Sequence, residues 1–401
     1  MFSKKLKKLM ACFCAAACAV TVLSPASQTQ AATNDLSWKD FKVENPFNGT
    51  SAMDFSKSSI TTASTGTYSI PVVSTVAKIS STTPMTIYGS ITPGTSQTYT
   101  ITVSKNTSLF TRAFAVNIDQ GSVYAELTSS NGSLITNASA SQSAPTDTFS
   151  KSYISAGTYT LTVTSYSATG EFGIQMLGVD ASKSGTIKAG TAYVGYNNNT
   201  TVYKKFTVSS NRLVAIQAYQ PDNNYTYGEY VTVCNSKKKA VSSKSYTSST
   251  DKYVKYYGLK KGTYYVKLST SGLYCLSVIN STKGTIAATS KKKAKTIKSS
   301  YKNYIIPAST SKSSGYFKYT VKKSAKKTLS VQYSGDYSVR VTIYKGKIAV
   351  SSFVLYNNSG QSIKYKNSLT GKVVKWPKGT FTVKVQKLQK TDSGLIRIRM
   401  K

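Results

Sequence analysis

The chain has 401 residues, with 52 Lys and Arg against 14 Asp and Glu, a formal charge of +38 and no histidine. Without histidine, Ser-His-Asp and Cys-His catalysis, His-ligated zinc and a histidine general base are all excluded. Thirty tyrosines and an abundance of Ser and Thr suit strands and turns better than helices, and the length suggests two to four domains.

Residues 1–32 read as a secretory signal peptide. Lys4, Lys5, Lys7 and Lys8 form the charged start, Leu9 to Leu23 an apolar run of 15 residues, and Thr29-Gln30-Ala31 a small-residue cleavage site after Pro25. The run is short for a membrane span, and a lipid attachment at Cys18 would want Leu or Val where Ala15 stands. Nothing later in the chain reads as a transmembrane segment or a sorting motif. Residues 33–85 are Ser/Thr-rich, with one convincing strand at Tyr68 to Val73. They read as an extended leader, or as a partial domain lending a strand to the domain that begins at residue 86.

From residue 86 onward one pattern repeats. Gly157-Thr-Tyr-Thr-Leu-Thr-Val163 recurs as Gly262-Thr-Tyr-Tyr-Val-Lys-Leu268 and Gly379-Thr-Phe-Thr-Val-Lys-Val385. Each places an aromatic and two aliphatics at alternate positions, the period of a half-buried strand. A second alternating strand comes after each: Phe172, Ile174, Met176; Tyr274, Leu276, Val278; Ile396, Ile398, Met400. Upstream, Tyr99, Ile101 and Val103 align with Lys204, Phe206 and Val208, and with Phe317, Tyr319 and Val321. Asn131-Gly132 and Lys345-Gly346 are hairpin signals. The expectation is an all-β chain of three tandem antiparallel β-sandwich modules, jelly-roll or Greek-key in connection, at 86–180, 181–282 and 283–401.

The order of landmarks is a G-[ST]-I opening (Gly89-Ser-Ile91, Gly185-Thr-Ile187, Gly284-Thr-Ile286), a Y-T-I-T-V or F-T-V strand, a hairpin, then G-T-Y-x-L-x-V. It resembles the bacterial pre-peptidase C-terminal domain. Residues 86–180 match best, and the third copy departs most, with lysine-rich loops. The resemblance implies a secreted, non-catalytic β-sandwich of the kind found beside hydrolases. Here nearly all of residues 33–401 reads as leader and modules, so no hydrolase domain is expected among them.

Charge rises along the chain: residues 33–85 are neutral, 86–180 carry −2, 181–282 carry +11, and 283–401 carry +25. Such a surface attracts anionic cell-wall polymers or acidic polysaccharide. The clusters Lys237-Lys238-Lys239, Lys291-Lys292-Lys293-Lys295 and Lys322-Lys323-Lys326-Lys327 are the candidate polyanion-binding residues. Equally, lysines in turns protect strand edges from pairing. Only five of the basic residues are Arg, so diffuse attraction is expected rather than a shaped anion fork, and specific nucleic-acid binding is not.

Chemistry is scarce. Ser236-x-x-Lys239 and Ser290-x-x-Lys293 match a Ser-Lys spacing that this composition produces by chance. Asp222 and Glu229 flank a tyrosine-rich loop, where they could form a glycosidase pair or, with Asn223 and Asn224, bind calcium, although the spacing matches no EF-type loop. Across the stretch 219–230, Tyr219, Tyr225, Tyr227 and Tyr230 offer a carbohydrate-binding surface, or else cap the sandwich core. Asp336 and Asp392 sit in glycine-containing turns that favour Asp for local hydrogen bonding. No metal site or cofactor is indicated. Cys234 and Cys275 can pair in an oxidising compartment or remain free, and free thiols are the favoured reading. The sequence therefore points to a secreted, non-enzymatic, envelope-associated protein binding anionic polymers through its basic C-terminal half. Its rivals are a carbohydrate-binding protein acting through the tyrosine loop and an accessory subunit of a secreted hydrolase.

Overall fold

The computed structural model describes residues 66–401 apart from 83, 117, 119, 145, 221–228, 248–252, 310–312, 367–369 and 371. The proposed signal peptide and most of the leader lie outside the described residues. So do Asp222, Asn223, Asn224, Tyr225 and Tyr227.

The described chain is almost entirely strand. The first sheets run β1 (Thr67–Ser69)–β4 (Ser96–Val103)–β9 (Gly157–Ser165)–β6 (Ser122–Ser129)–β7 (Leu134–Ser141), facing β2 (Val72–Val73)–β10 (Gly170–Asp180)–β5 (Thr107–Val116)–β8 (Thr146–Ile154), with β3 (Met85–Ile91) also on β10. Residues 67–73 thus supply two short parallel strands, one to each sheet. A six-residue helix, α1 (Val76–Ser81), joins them to β3; it is too brief to leave a helical period in the sequence.

The same pairing order recurs in the last sheets. There β21 (Ser314–Val321), β26 (Gly379–Lys387), β23 (Ser338–Lys345) and β24 (Ile348–Tyr356) follow one another. Against them lie β20 (Lys302–Ile306), β27 (Ser393–Met400), β22 (Thr328–Asp336) and β25 (Ser359–Lys364). Short parallel strands again open the edges, β18 (Thr285–Ile286) on β20 and β19 (Lys295–Thr296) on β21. In the middle, four strands fuse into two long ones, β12 (Ala192–Val208) and β17 (Gly262–Lys283), with β11 (Ser184–Thr186) parallel to β12. The register between the long strands shifts between Asn197 and Thr200, opposite Gly272. A bulge there bends both strands within the one seven-stranded sheet that holds them. β14 (Glu229–Asn235) pairs with the first half of β17 and with β15 (Ser245–Thr247). β13 (Arg212–Tyr219) pairs with the second half of β17 and with β16 (Tyr253–Leu259).

The alternation in each repeat becomes a core. Tyr159, Leu161 and Val163 are buried in the first sheets, Tyr264, Val266 and Leu268 in the middle, and Phe381, Val383 and Val385 in the last. Their companions Phe172-Ile174-Met176, Tyr274-Leu276-Val278 and Ile396-Ile398-Met400 are every one buried in the same core as the triplet they follow. Lys204 occupies the register held elsewhere by Tyr99 and Phe317, and is itself buried. Its ammonium donates to the carbonyls of Ser182 and Ser184 at 3.1 Å and stands 3.7 Å from Asp180, which compensates the buried charge.

The sheets pack directly on one another. Val73, Leu177, Val179 and Ala181 of the first meet Val194, Tyr196, Leu273 and Cys275 of the middle. Leu213 of the middle meets Ile305 and Leu395 of the last. At that second junction Gly258 has no room for a side chain. A Cβ would stand 2.5 Å from the Gly394 carbonyl oxygen and 2.6 Å from that of Ile306.

Cys234 and Cys275 are both free and buried, so the alternative of a disulfide is not realised. The reason lies in the register. Cys234 is level with Tyr265 of β17, ten residues along that strand from Cys275, whereas a disulfide needs Cα atoms within roughly 7 Å and each residue advances about 3.3 Å. Burial raises both thiol pKa values.

Candidate polyanion interface

The last sheets have two dissimilar ends, and the register decides what stands at each. β22 runs from Thr328 to Asp336, and β27 runs antiparallel to it from Ser393 to Met400. β26 begins at Gly379, level with Val321 at the close of β21, and ends at Lys387. One end therefore collects Asp336, Lys387, Asp392 and Ser393. The other collects the starts of β22 and β26 and the ends of β21, β23 and β25.

The first of these ends is docked on the middle sheet. Ala308 N–H donates to the Gly258 carbonyl at 2.8 Å, and the Ser243 and Thr391 hydroxyls lie 2.9 Å apart. Asp336, buried, faces Lys255 of β16 at 3.4 Å. The Lys255 ammonium also donates to the hydroxyls of Ser245 and Tyr337, with its charge 4.3 Å from the centre of the Tyr337 ring. Burial pushes the Asp336 carboxyl up to about 6 despite the opposing pull of Lys255. Lys387 donates to Ser309 Oγ and the Lys390 carbonyl, both at 3.0 Å. Desolvation lowers its pKa to about 8, against the upward pull of Asp392. Asp392 accepts locally from Gln389 N–H at 2.6 Å, as its turn suggested, whereas Asp336 looks across the junction.

The opposite end is lysine throughout. Lys322 and Lys323 follow β21, Lys326 and Lys327 precede β22, Lys345 and Lys347 flank the β23–β24 turn at Gly346, and Lys378 precedes β26. Lys364 ends β25 level with Thr328, and Lys401 exchanges backbone hydrogen bonds with Thr328. The Lys345 stem lies against Gly379, and the Lys291 ammonium reaches the Gly346 carbonyl at 2.9 Å. Trp376 ties the end together: it bridges to Ala325 and donates its indole N–H to the Lys327 carbonyl at 2.8 Å. Residues 283–401 carry 27 basic side chains against two carboxylates, and both carboxylates, Asp336 and Asp392, are buried. No acidic side chain of this segment reaches the surface to neutralise the lysines.

The sequence candidates therefore sort by place. Lys291, Lys322, Lys323, Lys326 and Lys327 come together at the free end. Lys292, Lys293 and Lys295 are exposed in or just after the turn that carries Lys291. Lys237, Lys238 and Lys239 form the turn after β14 of the middle sheet, their backbone held by the Asn235 carboxamide at 3.0 and 3.1 Å. Lys238, at φ 58°, lays its ammonium 4.7 Å from the Tyr203 ring centre. Of the tyrosines, Tyr219 ends β13 opposite Cys275. Tyr230 is packed edge-on to Tyr246 at 5.5 Å and covered by Lys244 at 3.7 Å, so one face of that ring is already taken. Sequence reading missed Lys345, Lys347, Lys364, Lys378 and Lys401, which are isolated in the chain and gather only through strand register.

No family model and no curated protein matches the chain. Among solved structures it is similar, over 74% of its length and 29% of theirs, to tripeptidyl peptidase 2 at 11% identity and TM-score 0.19. It is also similar to the tandem CBM22 domains of Paenibacillus barcinonensis Xyn10C at 9% identity and TM-score 0.20, covering 53% of this chain and 87% of that one. A third likeness is to the M60 catalytic domain with CBM51 domains of Clostridium perfringens ZmpB, at 8% identity and TM-score 0.18, over 79% and 34%. The chain spans less than a third of the peptidase structure.

Proposed function

We propose that this chain is a secreted, non-catalytic surface protein that holds anionic envelope polymers on the lysine-rich free end of its last sheets. The observation that carries the reading is the sorting of charge in residues 283–401: both carboxylates are buried, while the lysines crowd the end that no other part of the described chain covers. Uncompensated cations on adjacent strands, about 4.8 Å apart, sum into a field that draws polyanions from a distance of roughly one Debye length, about 8 Å in physiological salt. Lysine supplies mobile point charges without geometric selectivity, so polymers of different backbone but similar charge density are retained. The test is retention of the full chain on matrices bearing polyphosphate, polygalacturonate and uncharged dextran. Retention on the first two and not the third is expected. It should be lost when Lys322, Lys323, Lys345, Lys347 and Lys378 are all replaced by Gln. Equal retention of that variant would refute the assignment.

A further inference from the structure

The outer strands β24 and β25 lie at the same side of the last sheets, one at the edge of each sheet. Their counterparts in the first sheets, β7 and β8, pack against one another and close that side. β24 and β25 touch far less, and a cleft of about 240 Å³ opens between them. Its deep wall is Ile343 and the buried Trp376, whose indole packs against Tyr365 at 5.3 Å and Phe381 at 4.8 Å. Ser351 and Gln361 face the cleft, and Lys364 and Lys366 stand on its rim.

Two polar residues of the lining hold core-facing registers. Ser351 pairs with the buried Ile343, which puts it on the core-facing side of its sheet. Gln361 alternates with Ile363 and Tyr365, which pack on the core, so it too holds a core-facing register. The first sheets carry polar residues at the same registers, Thr136 opposite Leu127 and Asp147 opposite Ala113, but there the edge strands close together. In the last sheets they stand apart, and a hydroxyl and a carboxamide line a cavity with Tyr365 and Trp376 in its wall, cations at its mouth and no carboxylate in its lining. Tyr365, the half-buried ring of the lining, can pack on the C–H face of a pyranose with Trp376 supporting it from beneath, Ser and Gln exchange hydrogen bonds with ring hydroxyls, and lysines attract an acidic substituent. The volume lies below the roughly 300–1,000 Å³ of drug-sized sites, which suits one sugar unit of a longer chain.

We propose that this cleft holds a single carboxylate-bearing pyranose of an acidic polysaccharide. The inference rests on the polyanion reading above and deepens it: the lysine end gathers the polymer, and the cleft selects a hydroxylated, carboxylated ring over a bare polyphosphate chain.

Trp38→Phe leaves Trp376 as the sole tryptophan of the full chain. That protein is titrated with trigalacturonate, with the neutral trisaccharide of the same linkage, and with inorganic polyphosphate. Trigalacturonate should change Trp376 emission saturably, the neutral sugar should bind at least tenfold more weakly, and polyphosphate should leave the emission unchanged. Ser351→Val with Gln361→Leu should weaken trigalacturonate at least tenfold, keep the melting temperature at or above that of the parent, and leave retention on polyphosphate intact. If that variant melts early, Ser351→Ala with Gln361→Ala decides by the same tenfold criterion. Unchanged trigalacturonate affinity in the deciding variant, or the same emission change with polyphosphate, overturns the cleft while the lysine end stands. Failure of the parent protein to bind polyphosphate at all would instead sink the polyanion reading.

Discussion

Replacing Asp336 by Asn should stabilise the protein at neutral pH and flatten its acid response. Asp336 is 3% exposed, and its carboxyl sits at about 6 in the folded chain against an ordinary value of 3.8. A group raised on folding favours the folded state when protonated, so its contribution is complete below pH 3.8 and is lost as pH climbs through 6. About two pKa units at 1.36 kcal/mol each amount to roughly 3 kcal/mol lost between about pH 4 and pH 7. Asn abolishes that loss. Lys255 is not stranded by the change, because Ser245 and Tyr337 still accept from it, and its attraction is already contained in the value of about 6. The net gain at about pH 7.5 is therefore expected at roughly 2–3 kcal/mol, and at about 2–4 °C per kcal/mol for a unit of this size the melting temperature should rise by several degrees. Calorimetry on the full chain at about pH 4.5 and about pH 7.5 measures it. An Asn variant that melts lower than the parent at the higher pH, with an unchanged difference between the two pH values, would refute the burial argument.

Other substitutions probe the frame around the interface. Gly258→Ala drives a methyl group into two backbone carbonyls of the last sheets, so a loss of about 1–3 kcal/mol and faster proteolysis between the middle and last sheets are expected in limited-digestion time courses. Cys234 and Cys275 should resist a thiol reagent in the native protein and react fully in urea, because both are buried with raised pKa; rapid native labelling would contradict their placement. Trp376→Ala removes a fully buried ring and its bond to Lys327, at a cost of about 3–5 kcal/mol, read as a lowered urea midpoint.

The fold was largely legible because each strand of the repeat carries its own evidence. Tyr159-Leu161-Val163 and its two counterparts announce a buried face by alternation alone, and glycine fixes where each begins. Lys204 shows the limit of that logic: alignment placed it beside Tyr99 and Phe317, but its partners Ser182, Ser184 and Asp180 come from a neighbouring segment that pattern cannot locate. The candidate interface was legible only in its runs. Lys322-Lys323 and Lys326-Lys327 stand out in sequence, whereas Lys345, Lys364, Lys378 and Lys401 are single residues brought together by pairings across four strands. The complementary fact, that Asp336 and Asp392 are both buried near the opposite end, depends on the docking of two sets of sheets and has no local signature. Ser351 and Gln361 were passed over for the same reason, since only the register shows that they face inward.

Affinity for polyphosphate measured across a range of salt concentrations tests the central claim most directly. If the lysine end is the interface, the logarithm of the association constant should fall steeply with the logarithm of salt. Replacing Lys322, Lys323, Lys345, Lys347 and Lys378 by Gln should flatten that slope by about three to five units, close to one for each contact removed. A slope indifferent to those five replacements, while Lys237→Gln, Lys238→Gln and Lys239→Gln together abolish it, would place the interface on the middle sheet and contradict the account.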